Sequence, residues 1–288
     1  PDENRMINGF TDYEELTRTR RLIMRSYKLP GNRLRLLHTN ENRGAVTIDE
    51  ERDYHFRYVL EDNFGNRRTY QFIVKGKRQD IPEYKPEANE MLYWNQANVI
   101  QKPGMELVVP RYYVYEDVPL RTDMRGDSSR IAFDYILDAG RTPIHSYCDL
   151  SIGLRHMPVA DTTKYYIVQK AGKWRSSMGG KYASGWIKTR VRSLGTFSVD
   201  VDTIAPQITP IGQGGWRTSR NIRFRIKDME SGIGSYKVYI DGKFVLFGLK
   251  KGILVIQDPE KVKKGVPHKL EVTVTDQCGN MARKEYKF

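Results

Sequence analysis

Five histidines, His38, His55, His145, His156 and His268, are the first residues to weigh for acid–base or metal chemistry. No two stand at i, i+2 or i, i+4, so neither a His-x-His pair nor the paired ligands of a zincin helix is present. His55 has the parity opposite Phe56, which places it on a sheet face, and His156 and His268 fall in expected turns. No Gly-x-Ser-x-Gly elbow occurs, and no Cys–His pair has motif context. Asp228 and Glu230 with Asp241, or Asp62 and Asp276, are oxygen donors of the kind calcium takes. Asp in a turn more often bonds its own backbone, and that is the preferred reading. Trp174, Tyr182, Trp186 and Trp216 could stack on sugar rings, but packing in a core or hairpin is the stronger expectation. Ser177–Lys181 contains Gly-Gly-Lys without the spacing or helix of a phosphate loop. No catalytic, cofactor-binding or metal residue is assigned in this chain.

The elements that would position such residues read as strands. Tyr54–Val74 and Lys269–Phe288 each hold an alternating segment, then Asp-x-x-Gly-Asn, then a second alternating segment. Aligned on the turn, Asp62 matches Asp276, Gly65 matches Gly279 and Asn66 matches Asn280. Phe56, Tyr58 and Leu60 fall where Leu270, Val272 and Val274 fall, which puts one face of each strand inward. Two copies of one hairpin predict repeated β-sandwich modules. The fold expected is all-β: tandem immunoglobulin-like sandwiches over 1–80, 83–202 and 203–288. A short helix is expected over Glu14–Arg21, with Thr11-Asp-Tyr-Glu14 as a capping box, and a turn at Leu29–Asn32. Alternation begins at Arg33–Leu37, a strand is expected at Gly44–Ile48, and Lys75–Pro82 reads as a linker.

Middle-region strands are expected at Met105–Val109, Tyr112–Tyr115, Ile131–Leu137, Cys148–Leu154, Tyr165–Gln169, Trp186–Val191 and Phe197–Val201. After Thr203–Pro206 they are expected at Gln207–Thr209, Ile222–Lys227, Tyr236–Ile240, Phe244–Phe247, Ile253–Ile256, Leu270–Thr275 and Glu285–Phe288. Asp241-Gly242 predicts a two-residue reversal.

Composition sets bounds on function. The chain has 288 residues, and its 39% hydrophobic content with 18 Tyr, 10 Phe and 4 Trp suits packed cores rather than disorder. A net charge of +13 raises binding to nucleic acid or another polyanion. Its basic residues alternate with apolar ones, as in Arg223–Lys227, which is how the wet face of a half-buried strand reads, so nucleic acid is not the expected partner. No apolar run is long enough to span a membrane. The polar N-terminus has no signal-peptide core, as would also hold for a mature or excised fragment. Cys148 and Cys278 are too few for a disulfide framework, and Cys148 shares the parity of Leu150 and Ile152, so a buried thiol is expected.

Several segments resemble the non-catalytic C-terminal region of Bacteroidetes cell-wall zinc peptidases of the lysostaphin/LytM type. They are Met6–Glu15, Pro30–Arg35, Tyr58–Asn66, Gly179–Tyr182, Gly185–Thr189, Leu194–Phe197, Ala205–Ile208, Ile240–Phe247 and Thr275–Asn280, in the same order along nearly the whole chain. The resemblance implies that 1–80 is the back part of a sandwich, incomplete at its N-terminus, and that the protein is an exported one of the cell envelope, periplasmic or associated with the outer membrane. An upstream peptidase domain, absent from this sequence, would carry the zinc and cut peptidoglycan. This chain would position it, with that domain and peptidoglycan or another envelope glycan as partners. None of the family's zinc or catalytic positions exists in this chain, so none is carried over. The rival expectation is a stand-alone carbohydrate-binding or adhesin-like β-sandwich protein.

Overall fold

A computed structural model of the chain describes residues 3–288 apart from 36, 81, 84–86, 128 and 141. The chain divides into two compact units, 1–87 and 88–288.

The first unit is mostly irregular. Short helical turns at Glu3–Met6 and Ile7–Phe10 precede the expected helix, which runs Tyr13–Thr19 and is capped by Asp12, whose carboxylate accepts from the Glu15 N–H at 2.9 Å. The expected cap, Thr11, instead bridges Met24. The turn at Leu29–Asn32 closes with the Asn32 N–H on the Leu29 carbonyl at 3.0 Å. No strand forms over 44–48; Gly44 has φ +82°, and no described strand lies beside this segment to take its backbone groups. Residues 33–35 are likewise irregular, and residue 36 of the expected alternation lies outside the described residues. So do residue 81 of the expected linker and the nearby Pro86. Two strands, β1 (Asp53–Glu61) and β2 (Arg67–Lys75), form an antiparallel hairpin in the register Phe56↔Phe72 and Tyr58↔Tyr70. Met6, Phe10, Leu29, Leu34 and Tyr54 are this unit's buried apolar residues among those described.

The second unit holds two antiparallel sandwiches in succession. The first contains β3 (Glu90–Leu92), β4 (Asn98–Lys102), β5 (Met105–Val109), β6 (Val118–Arg125), β7 (Asp134–Asp138) and β8 (Cys148–Gly153). It continues with β9 (Tyr165–Ala171), β10 (Trp174–Ser177), β11 (Lys181–Ala183), β12 (Trp186–Val191) and β13 (Gly195–Val201). One sheet has the order β10-β9-β13-β7-β6-β3 and the other β11-β12-β8-β5-β4. Alternate residues from both inner faces share one core, including Leu107, Leu150 and Ile187 from one sheet and Leu120, Leu137 and Phe197 from the other. The expected strand at Tyr112–Tyr115 is a turn, because Tyr112 sits at φ +68°, outside the extended region. The strand expected from Ile131 begins only at Asp134.

The second sandwich contains β14 (Gln207–Ile211), β15 (Arg223–Lys227), β16 (Ile233–Ile240), β17 (Lys243–Phe244), β18 (Phe247–Lys250), β19 (Ile253–Ile256), β20 (Lys269–Asp276) and β21 (Met281–Lys287). Its sheets have the orders β14-β15-β19-β18 and β17-β16-β20-β21. The reversal at Asp241-Gly242 has φ values of +50° and +77°, as a two-residue hairpin turn requires. The segment expected as one strand over Phe244–Phe247 is divided between β17 and β18. Trp216 anchors the core: it is 1% exposed, gives its indole N–H to the Ile211 carbonyl at 2.9 Å, and meets Phe224, Tyr286 and Phe288 edge-on.

Candidate functional site

A cluster of polar side chains in the second unit lies where its two sandwiches meet. β13 ends on Val201, and Asp202, 0% exposed, begins the connection. One Asp202 carboxylate oxygen accepts from the Ile204 N–H at 2.9 Å; the other accepts the Ser231 N–H at 3.0 Å and the Ser231 hydroxyl. The Asp202 N–H is tied back to the Lys164 carbonyl at 2.9 Å. Asp228 holds the neighbouring loop by accepting from the Glu230 and Gly232 N–H groups at 3.1 and 2.7 Å. Gly234 has no room for a side chain, because a Cβ would stand 2.5 Å from the Asp276 carbonyl oxygen.

The turn after β20 docks into this cluster. Asp276 accepts from the Cys278 and Asn280 N–H groups at 2.8 Å each and from the Asn280 side-chain amide at 2.7 Å. The same amide donates to the Asp202 carbonyl at 3.0 Å. Cys278 is buried against Tyr166 and Val168 of β9, and its carbonyl takes the Lys164 ammonium at 3.0 Å. The Tyr166 hydroxyl reaches Glu230 at 3.3 Å. Burial pushes the Cys278 thiol up to about 11 and raises Tyr166 as well. Asp202, Ser231, Asp276 and Cys278 are buried at this joint with their polar groups hydrogen-bonded, while Asp228 is half-buried and Glu230 exposed.

Asp202, Asp228 and Asp276 each offer a carboxylate oxygen, all within 4.8 Å of one another. They are the ligand type calcium takes, while N–H and O–H donors of the chain already engage both carboxylate oxygens of Asp202 and of Asp276. Asp228 and Asp276, two of the acids singled out in the sequence, therefore do meet, although Asp202 was missed. Its Val-Asp-Thr setting reads as an ordinary strand end, and only its partners reveal it. Asp241 lies elsewhere, accepting from the Lys269 N–H at 2.9 Å and facing His268 Nδ1 at 2.6 Å. Asp62 holds its own turn.

The aromatic candidates separate. Trp216 is core, whereas Trp174 is 81% exposed at the β9–β10 hairpin and Tyr182 is 37% exposed on β11. Trp186 is half-buried and begins β12, opposite Gly153 of β8. The histidines do not converge either. His38, His55 and His156 are exposed, and His145 is buried with its ring nitrogen 3.0 Å from the Tyr115 hydroxyl. Both cysteines are free and buried, and burial takes the Cys148 thiol up to about 12. Among the described residues no helix is long and apolar enough to cross a membrane.

A family model described as a Zu5-like domain matches residues 89–202, the span of the first sandwich. No curated protein matches the chain. Among solved structures, one described as "Ca2+-stabilized adhesin helps an Antarctic bacterium reach out and bind ice" is similar at 10% identity, covering 82% of this chain and 80% of that one with a TM-score of 0.22. At that score the likeness carries nothing further.

Proposed function

We propose that this chain is a non-catalytic binding and spacing element of adhesin-like kind, whose stacked sandwiches hold a recognition surface away from its point of attachment. The observation that carries the reading is the joint. Lys164 of the first sandwich donates to the Cys278 carbonyl, and Ser231 and Asn280 of the second donate to Asp202 at the end of the first, contacts that tie one sandwich to the next, which is what a spacer needs. The Zu5-like match of the first sandwich supports a modular β architecture. Trp174, an exposed aromatic at a hairpin tip beside Lys173 and Arg175, is the residue best placed to stack on a sugar ring. A setting at the cell envelope goes with this reading. The rival role, positioning an upstream zinc peptidase, rests on the ordered sequence resemblance described above.

The test is co-sedimentation of the 288-residue chain with purified peptidoglycan sacculi at low and moderate salt. Retention at both salts is expected, weakened about 2- to 10-fold by Trp174→Ala. Retention that vanishes as salt rises would reduce the interaction to charge, and absence of retention at either salt would overturn glycan recognition. Zinc-dependent cleavage by this chain would overturn the non-catalytic assignment.

A further inference from the structure

β12 carries a row of cations that the fold leaves without counter-charges. Ile187 and Val191 point into the first sandwich's core, at 0% and 2% exposed. Trp186, Lys188 and Arg190 therefore stand on the outer face of the sheet, successive members about 6.5 Å apart. Arg192 continues the row just past the strand's end. Lys181 of β11 is directly opposite Lys188, and both are exposed. Like charges in that relation destabilise a sheet. On the outer face of β20 and β21, by contrast, Lys269 meets Glu285 at 3.0 Å and Arg283 meets Glu271. None of Lys181, Lys188, Arg190 and Arg192 forms an ion pair among the described residues.

Two aromatic side chains complete this face. Tyr147, exposed just before β8, lies under both guanidinium groups, whose central carbons stand 5.5 Å (Arg190) and 5.3 Å (Arg192) from its ring centroid. Stacking of this kind orients a guanidinium while leaving its N–H edge free for a bidentate acceptor. Trp186 is half-buried opposite Gly153, where a Cβ would stand 3.7 Å from the indole, so the bare glycine gives the ring a flat seat. Asp149 is opposite Arg190 in the register, yet no ion pair joins them. The strand thus lines up a pair of ammonium groups, two oriented guanidinium forks and an aromatic platform the size of a sugar ring.

We propose that the outer face of β12 is a subsite for an acidic polysaccharide, whose uronate carboxylates are taken by Arg190, Arg192 and the Lys181–Lys188 pair while a pyranose ring packs on Trp186. The subsite rests on the glycan-binding reading of the chain, and it lies on the opposite sheet from Trp174. Carboxylates match the planar guanidinium forks and relieve the repulsion between the two lysines. A single-stranded nucleic acid would instead need open aromatic faces for successive bases, and the ring of Tyr147 is taken by the two arginines.

The test measures binding of the full chain to polygalacturonate and to its fully methyl-esterified form by isothermal titration calorimetry at moderate salt. The acid is expected to bind at least about 10-fold tighter than the ester. Arg190→Gln with Arg192→Gln should weaken binding of the acid about 10-fold or more, and Trp186→Ala about 2- to 10-fold. Arg225→Gln with Lys227→Gln removes the same charge from exposed positions of β15 and should change affinity less than about 2-fold. Lys188→Glu should weaken binding while raising the thermal midpoint, because it sets an opposite charge across from Lys181. Equal affinity for acid and ester, or equal losses in the two double variants, overturns the proposal. Tighter binding of oligothymidylate that the Arg190 and Arg192 substitutions remove also overturns it, by assigning the face to nucleic acid. Trp174→Ala should leave polygalacturonate binding unchanged. Sacculi retained by a chain that does not bind polygalacturonate would overturn this subsite and leave the Trp174 reading standing, and failure of both would overturn both.

Discussion

Asp62 and Asp276 accept the same three hydrogen bonds from the same three turn positions, yet their carboxyl groups move in opposite directions. In the exposed turn, the Asn66 side chain and main-chain N–H groups hold Asp62 below the ordinary carboxylate value. At the joint, burial outweighs the matching bonds from Asn280 and raises Asp276, with the neighbouring Asp202 adding to the effect. A carbon-detected NMR titration should find Asp62 titrating below 3.8 and Asp276 above it. The sign for stability follows: protonated Asp276 favours the folded form, so its contribution falls as pH rises from 3.8 through its folded value. Coincident midpoints would show that the joint does not exclude water from Asp276.

Asn280 and Asn66 give a second contrast. Asn66→Ala removes exposed turn bonds and should cost about 1 kcal/mol or less, whereas Asn280→Ala also strips the Asp202 carbonyl of its donor and should cost about 2–3 kcal/mol. Denaturant unfolding of the two variants measures the difference, and equal costs would mean that the Asn280–Asp202 contact contributes nothing.

His268 predicts a loss of stability toward alkaline pH. Its Nδ1 faces the Asp241 carboxylate at 2.6 Å and its Nε2 the Lys263 carbonyl at 2.7 Å, so both nitrogens must donate, which only the imidazolium can do. Burial works against that charge, but the Lys263 carbonyl and then Asp241 outweigh it and raise the pKa above 6.5. This contribution is complete below 6.5 and is lost as pH rises through the folded value. His268→Gln should flatten that segment of the stability-versus-pH curve. A slope unchanged by the substitution would place the titration elsewhere.

The two aromatic roles separate by mutation. Trp216→Ala should destabilise the second sandwich by about 3–5 kcal/mol, while Trp174→Ala should stay within about 0.5 kcal/mol of the parent in thermal unfolding. A large cost at Trp174 would show it packed rather than available for a ligand.

The strand pattern was legible in Met105–Val109, Trp186–Val191 and Lys269–Asp276, whereas Val118–Arg125, whose alternation is broken by Pro119 and polar Thr122, and Asn98–Lys102 were missed. Shorter edge strands such as Glu90–Leu92 and Lys181–Ala183 were not, because three residues give too few alternations to count. Tyr112–Tyr115 carries strand-like residues, but its left-handed Tyr112 bends the chain. The repeated hairpin was legible down to its turn. The joint was not: Asp202 meets Ser231 across 29 residues, Asn280 across 78, and Lys164 meets Cys278 across 114. Such contacts follow from topology, which no local spacing encodes.

The burial of the two thiols gives the molecule an internal reporter. Cys148 lies within the first sandwich's core, while Cys278 is covered by Tyr166 and Val168 at the joint. A thiol-reactive dye can reach Cys278 once the sandwiches part, but reaches Cys148 only when a whole module melts. Under native conditions Cys278 should therefore be labelled first, and its labelling rate measures how often the two sandwiches part.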